Sequence, residues 1–155
     1  MKYTPKQYGI KAFWIMVNPI RHAYWFVTRP KTLGAKCLIE HDGSFLLVRL
    51  NYGHRLWTTP GGGVDRGEAL DQAARREAFE EAGILPDHVT KLGEYTNTHQ
   101  YKIDTVHVFY YRAKSKDFKI DGFEIAEAAW FKPDSLPPNR TPSTNQIMDL
   151  YRAKF

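Results

Sequence analysis

The stretch from Gly61 to Ile84, GGGVDRGEALDQAARREAFEEAGI, decides how the rest of the chain is arranged. It opens with three glycines, closes at Gly83, and between them is rich in Ala, Glu, Arg and Leu, which favour a helix. At 3.6 residues per turn, Glu77, Glu80 and Glu81 share one helix face. Their like charges destabilise an isolated helix, so a divalent cation that prefers oxygen ligands, Mg²⁺ or Mn²⁺, would offset a real cost.

An arginine lies inside this acidic face. Arg76 precedes Glu80 by one helical turn and can form an ion pair with it, which would fix the direction of that carboxylate. The alternative for the whole face is a solvated run of charges, the usual meaning of such a pattern. The glycines and the arginine would then occupy their positions by accident, which favours the metal interpretation.

The spacing resembles the Nudix box of a known hydrolase family. The matching string is Gly62-x5-Glu68-x7-Arg76-Glu77-Ala78-x-Glu80-Glu81-x-Gly83-Ile84. The approach, Trp57-x-x-Pro60-Gly61-Gly62, is also similar, although Thr59 stands where the family often has an aliphatic residue. The resemblance covers about residues 33–153. It implies an α/β/α sandwich around a mixed sheet, and hydrolysis of a nucleoside diphosphate linked to another group.

The resemblance also implies roles for residues of the box. Glu80 and Glu81 would be metal ligands, and Glu77 a ligand or the general base. Gly61 would offer its backbone carbonyl to the metal, and Arg76 would orient the glutamates. The metal would neutralise charge that develops on phosphorus and acidify the attacking water.

Two further expectations concern glutamates at the edges of this site. Glu68 would have a structural role near the start of the helix. A ligand or base in this family often comes from outside the box, and Glu124 and Glu127 occupy the matching region before Trp130. We favour Glu124, six residues before Trp130; the alternative is that either glutamate is a solvent-facing loop carboxylate.

Five other side chains have two interpretations each. Trp57 is expected in the core rather than under a nucleobase, and Tyr95 and Tyr101 in sheet packing rather than in a base pocket. The loop residues His54 and Arg55 could reach a substrate phosphate or could simply be exposed.

Charge and cysteine content restrict the class of protein. The 155 residues carry a net charge of +5, yet residues 1–39 contain seven Lys or Arg and no Asp or Glu. These seven are Lys2, Lys6, Lys11, Arg21, Arg29, Lys31 and Lys36. Such a basic segment suits polyphosphate, nucleic acid or an anionic membrane surface, or else only solubilises the chain. Cys37 is the only cysteine, so no intrachain disulfide can form. The sequence also has no apolar run long enough to span a membrane. We therefore expect a cytoplasmic protein.

Strand and turn signals follow the basic segment. An Asp-Gly turn predicts a hairpin, β-forming residues predict a second one, and Ser143-x-x-Gln146 predicts a capping box for a final helix. The predicted elements are strands over 33–40, 45–50, 91–101, 105–114 and 128–132 and a helix over 144–153. This order gives a mixed α/β sheet with helices on both sides.

Residues 1–30 form a predicted helical extension outside the domain of residues 31–155. Residues 3–28 are rich in aromatic side chains at partly helical spacing, with a break at Pro19. Because such a surface needs cover, we expect a homodimer with this segment near the interface; contact with RNA or a membrane surface is the alternative.

The sequence therefore predicts a metal-dependent Nudix-type pyrophosphohydrolase acting on a nucleoside di- or triphosphate or a nucleoside diphosphate derivative. A 5′-triphosphate RNA pyrophosphohydrolase is the alternative within the enzyme class. A non-catalytic nucleotide sensor on the same fold is the alternative outside it.

Overall fold

The computed structural model describes residues 31–98, 103–120 and 122–155, and the predicted N-terminal helical extension lies outside them. The described residues form seven strands and two helices. In chain order these are β1 Lys31–His41, β2 Ser44–Leu50, β3 Trp57–Thr58, β4 Gly61–Gly63, α1 Leu70–Ala82, β5 Thr90–Asn97, β6 Ile103–Arg112, β7 Ile125–Phe131 and α2 Pro142–Lys154. None of the described helices is long and apolar enough to cross a bilayer.

The strands form one mixed sheet, as the sequence predicted. Its order is β3-β2-β1-β6-β5, with β4 added beside β1 and β7 beside β2. The pair β1 and β6 is parallel over ten residues, and every other pair is antiparallel. β1 contacts β2 only at its last two residues, so its first half is free to pair with the glycine strand β4.

The first hairpin forms through backbone that only some residues adopt. Asp42 and Gly43 both have positive φ, 47° and 68°, which matches the twist of the flanking strands. The second hairpin, β5 with β6, is antiparallel as predicted, with an irregularity between Lys91 and Gly93. The predicted end of its first strand, at Tyr101, lies outside the described residues.

One helix packs on each face of the sheet. Four alanines of α1 are fully buried against Ala35, Cys37 and Ile39 of β1, and their small size lets the helix approach the sheet closely. The alanines are Ala73, Ala74, Ala78 and Ala82. On the other face, Ile147 and Met148 of α2 pack with the alternate residues of the same strands, such as Leu38. This is the α/β/α sandwich that the resemblance implied.

Three of the differences from the predictions have a clear structural cause. The final helix begins at Pro142 with Thr141 as N-cap, so the predicted capping box at Ser143 is wrong; proline suits the first helical position because its missing N–H has no partner there. β7 begins at Ile125 rather than at residue 128, because its first residues pair with the end of β2. No strand was predicted over residues 61–63, but these three glycines pair with β1 and so form β4.

Candidate active site

Four carboxylates line one cavity of about 370 Å³. Glu77, Glu80 and Glu81 come from α1, and Glu124 comes from the segment that leads into β7. The ring of Phe123 completes the wall and is about half exposed. The structure therefore brings together the three box glutamates and the one outside glutamate that the sequence favoured.

Glu81 lies deepest in this group. Its residue is only 7% exposed, and its Oε2 accepts a hydrogen bond of 3.0 Å from the backbone N–H of Gly61. Burial raises the pKa of Glu81 to about 7, against the lowering effects of Lys36 and the Gly61 N–H and with further raising effects from Glu77 and Glu124. Carboxylates this close to one another favour the arrival of a positive charge.

Glu77 is held between the glycine loop and Arg76. Burial, more than any charge, raises the pKa of Glu77, while an ion pair of 2.7 Å with Arg76 opposes the shift. A Cβ placed on Gly62 would come within 2.7 Å of Glu77 Oε1, so a larger residue at this position would displace the Glu77 carboxylate. Gly61, with φ at 145°, is tighter still, because its Cβ would lie 2.3 Å from the Ala35 carbonyl oxygen.

Arg76 ties the loop to the helix. Its Nε and Nη2 donate to both oxygens of Glu68 at 2.8 and 2.9 Å, and Nη2 also donates to the Gly63 carbonyl at 2.9 Å. Its Nη1 contacts Glu77 and, at 3.1 Å, Glu80. The hydrogen bonds from Arg76 lower the pKa of Glu68 to about 2. The ion pair predicted between Arg76 and Glu80 is present, and Glu68 lies just before the helix, as expected.

The side chain of Glu127 lies outside the acidic cavity. It forms an ion pair with Arg49 on the neighbouring strand β2 and does not line the acidic cavity. Arg49 in turn lies over the ring of Trp57, 5.7 Å from its centroid. Of the two glutamates considered from the sequence, only Glu124 faces the box glutamates.

Lys36 is the cation that sequence reasoning missed. It was counted only within the basic N-terminal quarter, but its Nζ donates to Thr58 Oγ1 at 3.1 Å and to the Thr59 carbonyl at 2.9 Å beside the glycine loop. Burial lowers the pKa of Lys36, and Glu81 is the strongest of the charges that oppose this. The signal was available: a lysine within the apolar run of β1 is unusual and needs a partner.

The other residues considered from the sequence have plain positions. Trp57 is buried and packs edge-on against Phe131 at 5.0 Å, as predicted, and Tyr95 packs with the α2 core. His54 and Arg55 lie in the loop before β3 and do not line the acidic cavity. Cys37 is fully buried, and burial raises the pKa of its thiol to about 12.

A larger cavity, of about 950 Å³, adjoins the same loop. Its walls are the first half of β1, the glycine strand β4, the turn before α1, and Asp104 and Val106 of β6. Gly61 and Gly62 line this larger cavity, and each of them contacts a glutamate of the acidic cavity, Glu81 and Glu77 respectively.

The donor set suits a hard divalent cation. All four cavity carboxylates offer oxygen, and burial and mutual repulsion raise the pKa of both Glu77 and Glu81, so a cation would relieve an existing strain. Among residues 31–98, 103–120 and 122–155, no three His, Cys, Asp or Glu side chains already converge as ligands of one ion.

Comparison with known proteins identifies the family of this chain. The family model for the NUDIX domain matches residues 29–151. A Bacillus subtilis protein named as an 8-oxo-dGTP diphosphatase is 32% identical over 120 residues, 75% of this chain and 79% of its own length. The NAD-capped RNA hydrolase NudC of Escherichia coli O157:H7 is 30% identical over 90% of this chain, which spans about half (53%) of that relative. An RNA pyrophosphohydrolase of Pseudoalteromonas atlantica is 42% identical over 34% of this chain and 30% of its own length.

Two solved structures illustrate the likeness of fold. A MutT NUDIX hydrolase from Burkholderia pseudomallei superposes with a TM-score of 0.71 at 26% identity, over 77% of this chain and 97% of that one. The NUDIX domain of Shewanella oneidensis NrtR, solved with ADP ribose, gives 0.70 at 18% identity over 80% and 88%, a likeness of fold alone.

Proposed function

The chain belongs to the Nudix hydrolase family, a family of enzymes acting on phosphoanhydride bonds, and we propose that it is a metal-dependent pyrophosphohydrolase of nucleoside di- or triphosphates or nucleoside diphosphate derivatives, releasing a nucleoside monophosphate. The observation that carries the proposal is the single cavity lined by Glu77, Glu80, Glu81 and Glu124. A pyrophosphate group is strongly anionic and would be repelled by these four carboxylates unless a cation lay between them.

The residues that would hold Mg²⁺ or Mn²⁺ are Glu77, Glu80, Glu81 and Glu124, with the carbonyl of Gly61 as a backbone ligand. When bound, the metal supplies charge neutralisation at phosphorus and a more acidic water. Arg76 holds Glu77 and Glu80 in place, and the Gly61 N–H fixes Glu81. We infer that Glu77 or Glu124 takes a proton from an attacking water, since both carboxylates line the acidic cavity. Burial raises the pKa of Glu77, which makes its carboxylate a stronger base.

The large cavity beyond the glycine loop is the proposed place for the remainder of the substrate. Its walls include Gly61 and Gly62, which contact glutamates of the acidic cavity, and the basic residues Lys31, Lys36 and Arg66. Positive side chains there attract a polyanion toward the carboxylates. The names of the relatives support nucleotide-derived substrates.

The test is hydrolysis of a panel of nucleotides by the full chain with Mg²⁺, with products separated by chromatography. The proposal predicts release of a nucleoside monophosphate from at least one compound and loss of turnover in excess EDTA. Turnover that persists undiminished in EDTA would overturn the metal assignment, and binding of nucleotides without turnover at any metal concentration would favour a sensor.

A second candidate is removal of pyrophosphate from RNA 5′ ends. Its support is the basic N-terminal quarter and the relatives named RNA pyrophosphohydrolase, although the one from Pseudoalteromonas atlantica matches only a third of this chain. Salt-dependent binding of single-stranded RNA that disappears when residues 1–30 are removed would support this candidate. The same truncated variant tests whether residues 31–155 form a separate domain and whether residues 1–30 hold a homodimer together, by light scattering.

A further inference from the structure

The segment that carries Glu124 is held by one side chain from a different strand. Asn51 directly follows β2, and its Nδ2 donates to the carbonyl oxygens of Gly122 at 3.2 Å and Phe123 at 3.1 Å. The backbone N–H of Asn51 donates to the Glu124 carbonyl at 2.7 Å. One residue thus binds three consecutive carbonyls of the segment.

This segment, residues 122–124, lies outside the regular helices and strands. It lies before β7, and Gly122 has a φ of 70°, so the chain turns there through left-handed backbone. The pairing of β2 with β7 is also irregular between Arg49 and Leu50, directly before Asn51. An irregular strand end does not fix the direction of the next side chains by sheet geometry alone.

The two side chains that leave this segment both enter the acidic cavity. Phe123 and Glu124 line it together with the three box glutamates, and the charge of Glu124 raises the pKa of both Glu77 and Glu81. We propose that Asn51 is a positioning residue, which sets the distance of Glu124 from the box glutamates by fixing the backbone of residues 122–124. This inference rests on the proposed function, since Glu124 acts in that reaction.

The test is a double-mutant cycle between Asn51→Ala and Glu124→Gln, using the nucleotide that the wild-type enzyme hydrolyses best. Because a displacement of about 1 Å can cost about 10²-fold in rate, Asn51→Ala should lower kcat by about 10- to 100-fold with a smaller change in KM. In the Glu124→Gln background the same substitution should cost less than about 3-fold. Asn145→Ala is the matched control, since Asn145 Oδ1 accepts from Arg140 on the exposed side of α2; it should leave kcat unchanged.

A second variant perturbs the same segment directly, through the backbone of Gly122. A Cβ on Gly122 would meet no described atom within 4 Å, so Gly122→Ala strains only the left-handed backbone. It should lower kcat with the same dependence on Glu124, even if Asn51→Ala proves too unstable to assay. Mn²⁺ affinity measured by electron paramagnetic resonance should weaken in both variants, which a general loss of packing in a folded protein would not produce.

The outcomes separate the two proposals. If the wild-type chain hydrolyses no nucleotide with any divalent metal, the proposed function fails. If the wild type is active and Asn51→Ala and Glu124→Gln combine with fully independent effects, or if both turn variants keep wild-type kcat, the role of Asn51 is overturned while the function stands.

Discussion

Gly62 and Glu77 are packed so closely that a methyl group on Gly62 would come within 2.7 Å of the Glu77 Oε1 atom. The carboxylate of Glu77 is itself largely buried and held by Arg76, so it has little room to move. The glycine of the loop and the glutamate of the helix therefore form one unit, although fifteen residues separate them in the chain.

The first prediction follows from this contact. Gly62→Ala should displace the Glu77 carboxylate and lower kcat by about 10²-fold, because small displacements of acting groups have large kinetic effects. Gly63→Ala is the matched control, since a Cβ there meets no described atom within 4 Å and its φ is not positive. Equal kinetics for the two variants would show that the contact has no bearing on the reaction.

The second prediction concerns the hydrogen bonds of the Arg76 guanidinium group. Lysine keeps the charge but cannot reproduce the paired hydrogen bonds to Glu68 together with those to Gly63 and Glu77. Arg76→Lys should lower the free energy of unfolding by about 1–3 kcal/mol, measured by urea denaturation, and lower kcat more than tenfold. Arg75→Lys, which loses only one hydrogen bond to the Pro86 carbonyl, should have the smaller effect on both quantities.

The third prediction concerns the deepest carboxylate. Glu81→Gln keeps the size of the side chain and removes its charge, so kcat should fall by about 10²–10³-fold. The metal-free variant should still unfold cooperatively, because a repelled, buried carboxylate does not stabilise the empty protein. The rise in melting temperature on addition of Mn²⁺ should shrink. Glu127→Gln, outside the cavity, should retain both the activity and the metal-induced rise; a wild-type rise in Glu81→Gln would contradict its role as a ligand.

The box and its helix could be predicted because their signals are local. Helix propensity, the closing Gly83 and the spacing of the glutamates all lie within one continuous stretch, and Gly83 indeed ends α1 with a φ of 67°. The Asp42–Gly43 turn is local in the same sense, and it fixed the first hairpin.

What escaped prediction depends on contacts between distant parts of the chain. Lys36 and Glu81 are 45 residues apart, and the pairing of β1 with β4 together with the packing of α1 on β1 brings them near each other. Asn51 binds carbonyls about 70 residues away, and a single Asn in a polar loop carries no sign of that. The start of α2 was misplaced because Ser143 matched a capping pattern, while Pro142 determined the actual first turn.

The fourth prediction concerns stability in acid. Glu40 is 4% exposed, and burial alone would raise its pKa, but hydrogen bonds from the Gly43 N–H, Tyr110 and Arg112 outweigh this and hold the pKa below its usual value. A depressed carboxyl pKa stabilises the fold above the unfolded-state value, near 4.5, and this stabilisation is lost as the pH falls through the folded-state pKa.

Glu40→Gln should therefore lower the free energy of unfolding by about 1–2 kcal/mol at pH 7 and flatten its decline below pH 5. The measurement is urea denaturation between pH 3 and pH 7. Asp149→Asn, which removes an exposed carboxylate beside Arg152, is the control and should keep the wild-type profile. If the free energy of unfolding of Glu40→Gln declined below pH 5 as steeply as that of the wild type, other carboxyl groups would be the cause of the decline.

The last prediction concerns the two threonines before the glycine loop. Thr59 is fully buried, and its Oγ1 has no hydrogen-bond partner among the residues that the structure describes. Thr58 is also buried, but its Oγ1 accepts a hydrogen bond from Lys36. Valine has the shape of threonine without the hydroxyl, so the same substitution should have opposite effects at the two positions.

Thr59→Val should raise the free energy of unfolding by about 1 kcal/mol, because a buried hydroxyl without a partner is replaced by a methyl group. For a chain of this size that corresponds to a rise in melting temperature of about 2–4 °C, measurable by calorimetry. Thr58→Val should lower the melting temperature, since it leaves the Lys36 ammonium with one hydrogen-bond acceptor fewer. If Thr59→Val instead destabilised the protein as much as Thr58→Val does, that result would contradict the prediction, because it would mean that the Thr59 hydroxyl forms a stabilising hydrogen bond in solution.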